Sequence, residues 1–357
     1  MDIFVLNQNF ETIDIIDNYE SLIWTDRYSA YGDFELYIPM QVSLLESLKK
    51  DNYLYINDSE HVMIIEDFEI TTDAEVGSRL TVTGRSLESI LERRIVWGQK
   101  TYSGTVHAII KSMITDAIIS PEISSRKIDN FVFQDSSDES VNGESIDLQF
   151  TGDNLYEAVS LLCQLVGAGF RITLDANNNF VFSLYSGEDR SYAQDANPYV
   201  VFSPSFENII DSNYVETNSN YRNVTLVGGE GEGSDRKTVT VGDASGLSRR
   251  EVFTDARDIS STTQEGTLTT EQYNNQLTER GNEKLSEHVV STAFEGRAEA
   301  TRMFRYGEDF FMGDIVQIAN EFGMESRAHI TEIIRSQSES GLEIYPTFET
   351  IYDEKEE

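Results

Sequence analysis

The sequence predicts an α+β protein dominated by antiparallel strands. Three features lead there: apolar and polar residues alternate near both ends of the chain, two apolar stripes recur at helical spacing in the middle, and one capped polar helix interrupts the second β-rich stretch. At 357 residues the chain is long enough for two to four domains of the usual roughly 100 to 200 residues. With 39% hydrophobic residues, 19 Phe, 17 Tyr and only 5 Pro, its composition is that of a chain that buries a core.

Residues 1–98 read as a first β-rich domain, an antiparallel barrel or sandwich. Phe34, Leu36 and Ile38 alternate with Glu35 and Tyr37, Leu80 and Val82 alternate with Thr81 and Thr83, and residues 62–70 supply a further strand. Short helices are expected at 42–48 and at 87–95, where Leu87, Ile90, Leu91 and Ile95 share one face. Residues 99–205 form a small α+β domain. Val106, Ile109, Ile110, Met113 and Ala117 mark one helix, stopped before Pro121. A buried helix over 153–169 follows, capped by Asp153 or Asn154, striped by Leu155, Ala158, Val159, Leu162, Leu165 and Val166, and ended by Gly167 and Gly169. A hairpin is expected at 170–174 and 180–185, and the acidic loop at 135–144 is expected on the surface.

Strands return at 221–227, 239–241 and 251–253. Thr269 with Gln272 then opens a long, exposed helix through a capping box. Further strands are expected at 294–306, 315–318, 329–335 and 342–348. This places a second β-rich domain at 206–230 and 293–350, interrupted by a helix-bearing insertion at 231–292 and followed by an acidic tail at 351–357.

Sixty-three acidic against 27 basic residues give a net charge of −36, a field that repels phosphate and argues against independent binding to nucleic acid or anionic membranes. No basic region precedes the short apolar run at Ile3–Leu6, and no stretch approaches the ~18 apolar residues of a membrane span. The single cysteine, Cys163, lies among Leu161, Leu162, Leu165 and Val166 and reads as a small buried hydrophobe.

No motif nominates catalytic, cofactor-binding or metal-binding residues. Asp175, Asn177 and Asn179 imitate the start of a calcium loop, but Phe180 and Ser186 stand where glycine and a bidentate glutamate are needed, so the residues read as a hairpin turn. Gly229, Gly231 and Gly233 alternate with Glu230 and Glu232, which would face any phosphate with carboxylates; a mobile connection is expected. His61, His107, His288 and His329 are scattered and read as isolated structural residues. No nucleophile elbow singles out a serine, and chance carboxylate pairs are too common among 63 acidic residues to nominate a glycosidase dyad.

The run from Trp24 to Leu36, with Asp26, Arg27, Tyr28, Tyr31, Gly32, Asp33 and Phe34, resembles the signature of siphophage tail-hub proteins, relatives of the baseplate hub of contractile tails. Gly84-Arg85-Ser86-Leu87, Gly229–Gly233 with Arg236, the run from Arg250 to Asp258, Gly313-Asp314-Ile315-Val316 and Ile344-Tyr345-Pro346-Thr347-Phe348 are similar to that family in the same order. The resemblance implies two antiparallel β-barrel tube domains with two α+β decorating domains. It implies a non-enzymatic homotrimeric ring at the distal end of the virion tail, contacting the distal tail ring, the tail tube or tape measure, and tip fibre or lysin proteins. DNA would only pass through, without specific binding. Many relatives extend beyond the hub whereas this sequence stops at Glu357, so wall-degrading or receptor-binding activity is expected on another polypeptide. The rivals are a cell-wall hydrolase of the tail tip, which needs a nominated site, and a carbohydrate-binding receptor module, which needs an exposed aromatic platform.

Overall fold

The computed structural model describes residues 1–74, 77–263, 266–298, 303–320, 322 and 325–351. The expected β-dominated α+β class is observed. Its main feature is a thirteen-stranded sheet. Its path begins at Ile209–Thr217 and runs through Ser291–Ala298, Gly341–Ile351 and Glu325–Ser338 to Ser21–Arg27. It continues through Asp33–Pro39, Gly77–Ser86, Met63–Asp73, Tyr53–Tyr55 and Ile3–Leu6 to Thr12–Ile16. Both β-rich segments therefore belong to one sheet, joined where Ser21–Arg27 pairs antiparallel with Glu332–Ser338. Among the described residues no strand pairing closes either half into a barrel. Register shifts between Ile65 and Asp67 and between Ile330 and Glu332 bend the sheet, because a bulge adds local twist.

The alternation read in residues 34–38 becomes a strand with Phe34, Leu36 and Ile38 inward. These pack with Leu22, Trp24, Leu80 and Val82 in a first core. The helix expected at 87–95 is a 3-10 helix ending at Arg93, which leaves Ile95 exposed. A second core lies between the helices Val106–Ile114 and Leu155–Leu165 and a three-stranded sheet of Gly169–Leu174, Phe180–Tyr185 and Phe131–Gln134. Asn154 caps the second helix by accepting from the Tyr156 and Glu157 amides, and Gly167 in the left-handed region ends it. Of its predicted stripe, Leu165 sits at 36% exposure. It lies past the turn that faces the sheet.

A third core gathers Phe202, Phe310, Ile333 and Phe348. The strand expected at 221–227 is Val224–Gly228, and it lies outside the large sheet. It pairs with Thr238–Val241 and Glu251–Asp255, and its small sheet packs Val227 and Ala256 against Tyr273 and Leu277 of the helix Thr270–Ser286. Thr269 and Gln272 form the expected capping box. The expected strand at 294–306 is observed as Ser291–Ala298, residues 299–302 of it lying outside the described residues, as does 352–357 of the expected tail. Strands Gln99–Thr105, Ser145–Thr151 and Ile209–Thr217 were not expected; their polar composition hides the alternation.

Gly84 sits opposite Ile65 beside the first bulge, and a Cβ there would lie 1.8 Å from the Ile64 carbonyl oxygen and 2.9 Å from the Phe34 ring. The obstacle is backbone, so it cannot rotate away. Gly84→Ala is expected to cost at least the roughly 1–3 kcal/mol of an overpacked core. Gly98→Ala, at φ +77° with nothing within 4 Å, carries only the left-handed penalty of about 1–2 kcal/mol. Thermal melts of both variants check this; equal losses would mean that the clash is relieved by sliding of the bulged strand.

Candidate functional site

The strand Ser21–Arg27 is where the cores meet. Trp24 points into the first core and donates its indole N–H to Asp26 at 3.1 Å. The Asp26 carboxylate also accepts from Ser59 Oγ at 2.9 Å and from Arg335 at 2.5 Å, across the seam between the two β-rich segments. Arg27 donates to Glu332 at 2.6 Å, to Asp33 at 2.8 Å and to the Tyr31 carbonyl at 3.1 Å. One guanidinium thus ties three neighbouring strands. Tyr28 belongs to the third core and donates to the Gly167 carbonyl at 2.9 Å, reaching the α+β segment. Burial holds its hydroxyl well above the ordinary tyrosine pKa. Gly169 and Gly313 lie so close to this ring that a Cβ on either would come within 2.4 Å of it. Only glycine allows that approach.

Around this joint lies an open cleft of about 760 Å³, and each basic side chain lining it has an acidic partner. Arg335 has Asp26, Arg190 donates to Asp314 and to Glu188 at 2.7 Å, and Arg171 bonds Glu60. His61 lies 3.1 Å from Glu88, which also accepts from the Ile172 amide at 2.7 Å. Cations neutralised in this way have little affinity left for an external anion. Among the described residues no cluster of three His, Cys, Asp or Glu side chains is placed to hold a metal. What the arrangement does chemically is fasten three segments of chain to one another.

Burial alone would lower the His61 pKa, but Glu88 and then Asp26 overcome it and lift the imidazole to about 9, from an ordinary 6.5. Glu283 is pushed up to about 7 by burial, against Arg280 at 3.0 Å and with Asp153, Glu287 and Asp258 adding to the rise. Both groups hold their protons more tightly in the folded state. The His61 contribution is complete below pH 6.5 and lost as pH rises through about 9; it is worth roughly 3 kcal/mol. The Glu283 contribution is lost between pH 4.5 and about 7. Stability should fall from pH 6 to pH 9, and His61→Gln should flatten the alkaline half of that fall. Denaturant titrations at three pH values check it; a flat profile in the unmodified chain would contradict the buried ion pair.

Residues 2–348 match the family described as Siphovirus ReqiPepy6 Gp37-like protein. The chain belongs to that family. No curated protein matches it. Its fold is that of several solved tail proteins. The 43 kDa tail protein of prophage MuSo2 from Shewanella oneidensis is similar with a TM-score of 0.60 and 13% identity over 98% of both chains. The prophage tail protein gp18 of Listeria monocytogenes EGD-e is similar at 0.56 and 12%, covering 99% of this chain and 95% of that one. A tail protein from Neisseria meningitidis MC58 gives 0.57 and 14%, covering 97% and 95%. The siphophage tail resemblance read from the motifs is met at the level of family and fold.

The signature residues of this family member are spent on architecture. Ser86 Oγ accepts the Gly32 amide at 2.7 Å, so the first two motifs touch. Arg85 bonds Glu66 at 2.7 Å and Glu92 at 2.5 Å and stacks 4.8 Å over the Tyr31 ring. Asp314 is buried and accepts from the Glu188, Arg190 and Phe311 nitrogens. Arg236 binds the Gly228 and Gly229 carbonyls and Asp255, joining the glycine-rich run to the run from Arg250 to Asp258.

The glycine-rich run, expected to be mobile, is pinned at its start. Glu230 accepts from Ser260 and Ser261, and its amide donates to the Tyr273 hydroxyl. Gly229 serves close packing, since a Cβ there would lie 2.4 Å from that hydroxyl, whereas Gly233 has open space around it and a φ of +57°. Asp175 closes the expected hairpin turn by accepting from the Asn177 and Asn179 amides. Cys163 is buried, and burial pushes its thiol pKa up. His61, expected to be isolated, is paired with Glu88. That partner is 27 positions away, and the one signal for it was a carboxylate inside an otherwise apolar face.

Proposed function

We propose that this chain is a structural component of a phage tail, a hub subunit at the tail tip. Three copies form a ring that joins the tail tube and distal tail ring to the tip apparatus and lines the DNA exit channel. The observation that carries the reading is the joint at Ser21–Arg27, where two β-rich segments share one sheet and the signature residues act as fasteners. A ring that passes load from tube to tip must move as one body, and buried cross-strand ion pairs with glycine-limited packing resist sliding. Two β-rich units per subunit would give a threefold ring six roughly equivalent faces toward a sixfold tube, since closed symmetry demands matching interfaces. The net charge of −36 would keep a passing DNA backbone from adhering.

The units of this reading are a first tube domain over 1–98, an α+β decorating domain over 99–205 and a second tube domain completed by 293–350. The second tube domain would also take in 206–230, with the second decorating domain inserted over 231–292; the pairing of Val224–Gly228 with Thr238–Val241 and Glu251–Asp255 favours an earlier start of that insertion. Imaging the assembled tail tip tests the proposal: threefold density with two β-rich units per subunit around one channel supports it, and a peripheral or monomeric location overturns it. The purified chain should clear no band in a peptidoglycan zymogram. Clearing that is lost on substitution of particular carboxylates would favour the hydrolase instead.

A further inference from the structure

The α+β segment carries a small recess outside the joint. Its construction starts from two irregularities. After Ile114 the helix widens into a π-helical turn over Thr115–Ile119, closed by the Ser120 amide donating to the Thr115 carbonyl at 2.8 Å. Such turns cluster at functional sites because the extra residue re-aims its neighbours. Opposite it, Val96 is fixed by backbone bonds to Asp153 and Gly152, and the next residue, Trp97, is left 55% exposed. Between them lies a recess of about 200 Å³. Val96, Met113 and Ala117 form its buried apolar floor.

On the rim, the π turn brings Asp116 to within 3.2 Å of the Tyr102 hydroxyl, which donates to it, and 3.8 Å from Lys100 Nζ. Tyr102 holds one carboxylate oxygen, so the other is free to accept. Arg126 stacks 5.2 Å over one face of the Trp97 ring and is itself held by donating to the Ile95 carbonyl at 2.6 Å, while the indole residue as a whole stays 55% exposed. The charges on the wall balance, Lys100 and Arg126 against Asp116 and Glu122.

A rigid half-exposed indole, an apolar floor, a preset carboxylate and a nearby ammonium suit a ligand with one apolar face and a polar edge of paired donors and acceptors. A pyranose ring has that shape. Its axial C–H face covers an aromatic plane, and its hydroxyls both donate to a carboxylate and accept from an ammonium. We propose that this recess binds one hexopyranose unit of a neutral glycan. The balanced wall offers no net charge to a sialic or uronic acid, and a volume of about 200 Å³ is the size of a single ring rather than of a longer ligand. This goes beyond the hub reading, and neither depends on the other.

Trp24 is fully buried, so a change in tryptophan emission on adding sugar reports Trp97. The full-length chain is titrated with glucose, galactose, rhamnose, N-acetylglucosamine and their short oligomers, with glucuronic acid and a polyproline peptide alongside, and is applied to a glycan array. A saturable emission shift with at least one neutral hexopyranose is expected. The emission shift should weaken about tenfold in Asp116→Asn, the loss of one charge-assisted hydrogen bond, and because Trp97→Ala removes the reporter itself, its loss of binding is read on the glycan array and by titration calorimetry, with melting temperatures unchanged in both variants. If Trp97→Ala loses its fold along with Arg126, Lys100→Ala supplies the same test without touching the stacked pair. No neutral sugar bound, binding retained in Trp97→Ala or in both rim variants, or preference for glucuronic acid or polyproline would each overturn the proposal.

Discussion

Leu162→Asp is expected to abolish cooperative folding of the α+β segment. Leu162 is 1% exposed in the helix Leu155–Leu165, packed with Ile109, Met113, Phe170 and Phe182 in the second core. Removing the leucine side chain alone costs about 2–5 kcal/mol at such a site. The aspartate then adds a carboxylate that the apolar surroundings leave without a partner, so it must either desolvate or take up a proton. The sum exceeds about 4 kcal/mol, against a total stability of roughly 5–15 kcal/mol for a domain. Leu165→Asp, on the same helix three residues later and at 36% exposure, should change stability by under about 1 kcal/mol, through loss of a partial contact and an acid near a helix C-terminus. Thermal unfolding followed by circular dichroism compares the two. Matching melting temperatures would mean that the stripe faces solvent or a partner and not the core.

That contrast between Leu162 and Leu165 also marks how far the sequence could be read. Helices with one apolar face and strands with strict alternation declare themselves, because burial imposes a period of 3.6 or 2 on residue type. The capping box at Thr269, the Asn154 cap and the turn at Asp175 were legible because their chemistry is complete within a few residues. Edges of elements were not. Whether Leu165 or Ile95 is covered depends on where the neighbouring layer stops, which no local pattern records. Strands such as Ile209–Thr217 take their place from the backbone of neighbours far along the chain, so polar residues serve there as well as apolar ones.

The joint shows the same limit more sharply. Asp26, Arg27 and Gly84 stood out as members of a motif, yet their partners Arg335, Glu332 and the Ile64 carbonyl did not. Asp26 and Arg335 are separated by 309 positions. Nothing in a window of sequence couples them. The Trp97 recess was hidden for a related reason: it exists because a helix widens by one residue, a choice that tertiary packing makes.

The pair at that joint supplies the second large effect. Arg335 is 2% exposed, and its carboxylate partner among the described residues is Asp26, with the Tyr306 ring 5.4 Å from its guanidinium. Asp26→Ala leaves a buried guanidinium without a counter-ion and also strands the Trp24 indole N–H and the Ser59 hydroxyl, so about 3–5 kcal/mol should be lost. Arg335→Met is expected to cost less. The carboxylate it leaves behind keeps the Trp24 and Ser59 donors at 3.1 and 2.9 Å, and the methionine fills much of the space vacated. The double variant should be closer to Arg335→Met than to the sum of the two losses, because the unpaired charge is gone once both partners are gone. Denaturant unfolding of the three variants yields the coupling directly. Additive losses, or a single loss below about 1 kcal/mol for Asp26→Ala, would mean that the pair is hydrated like a surface ion pair. The seam between the two β-rich segments would then owe its rigidity to backbone pairing alone.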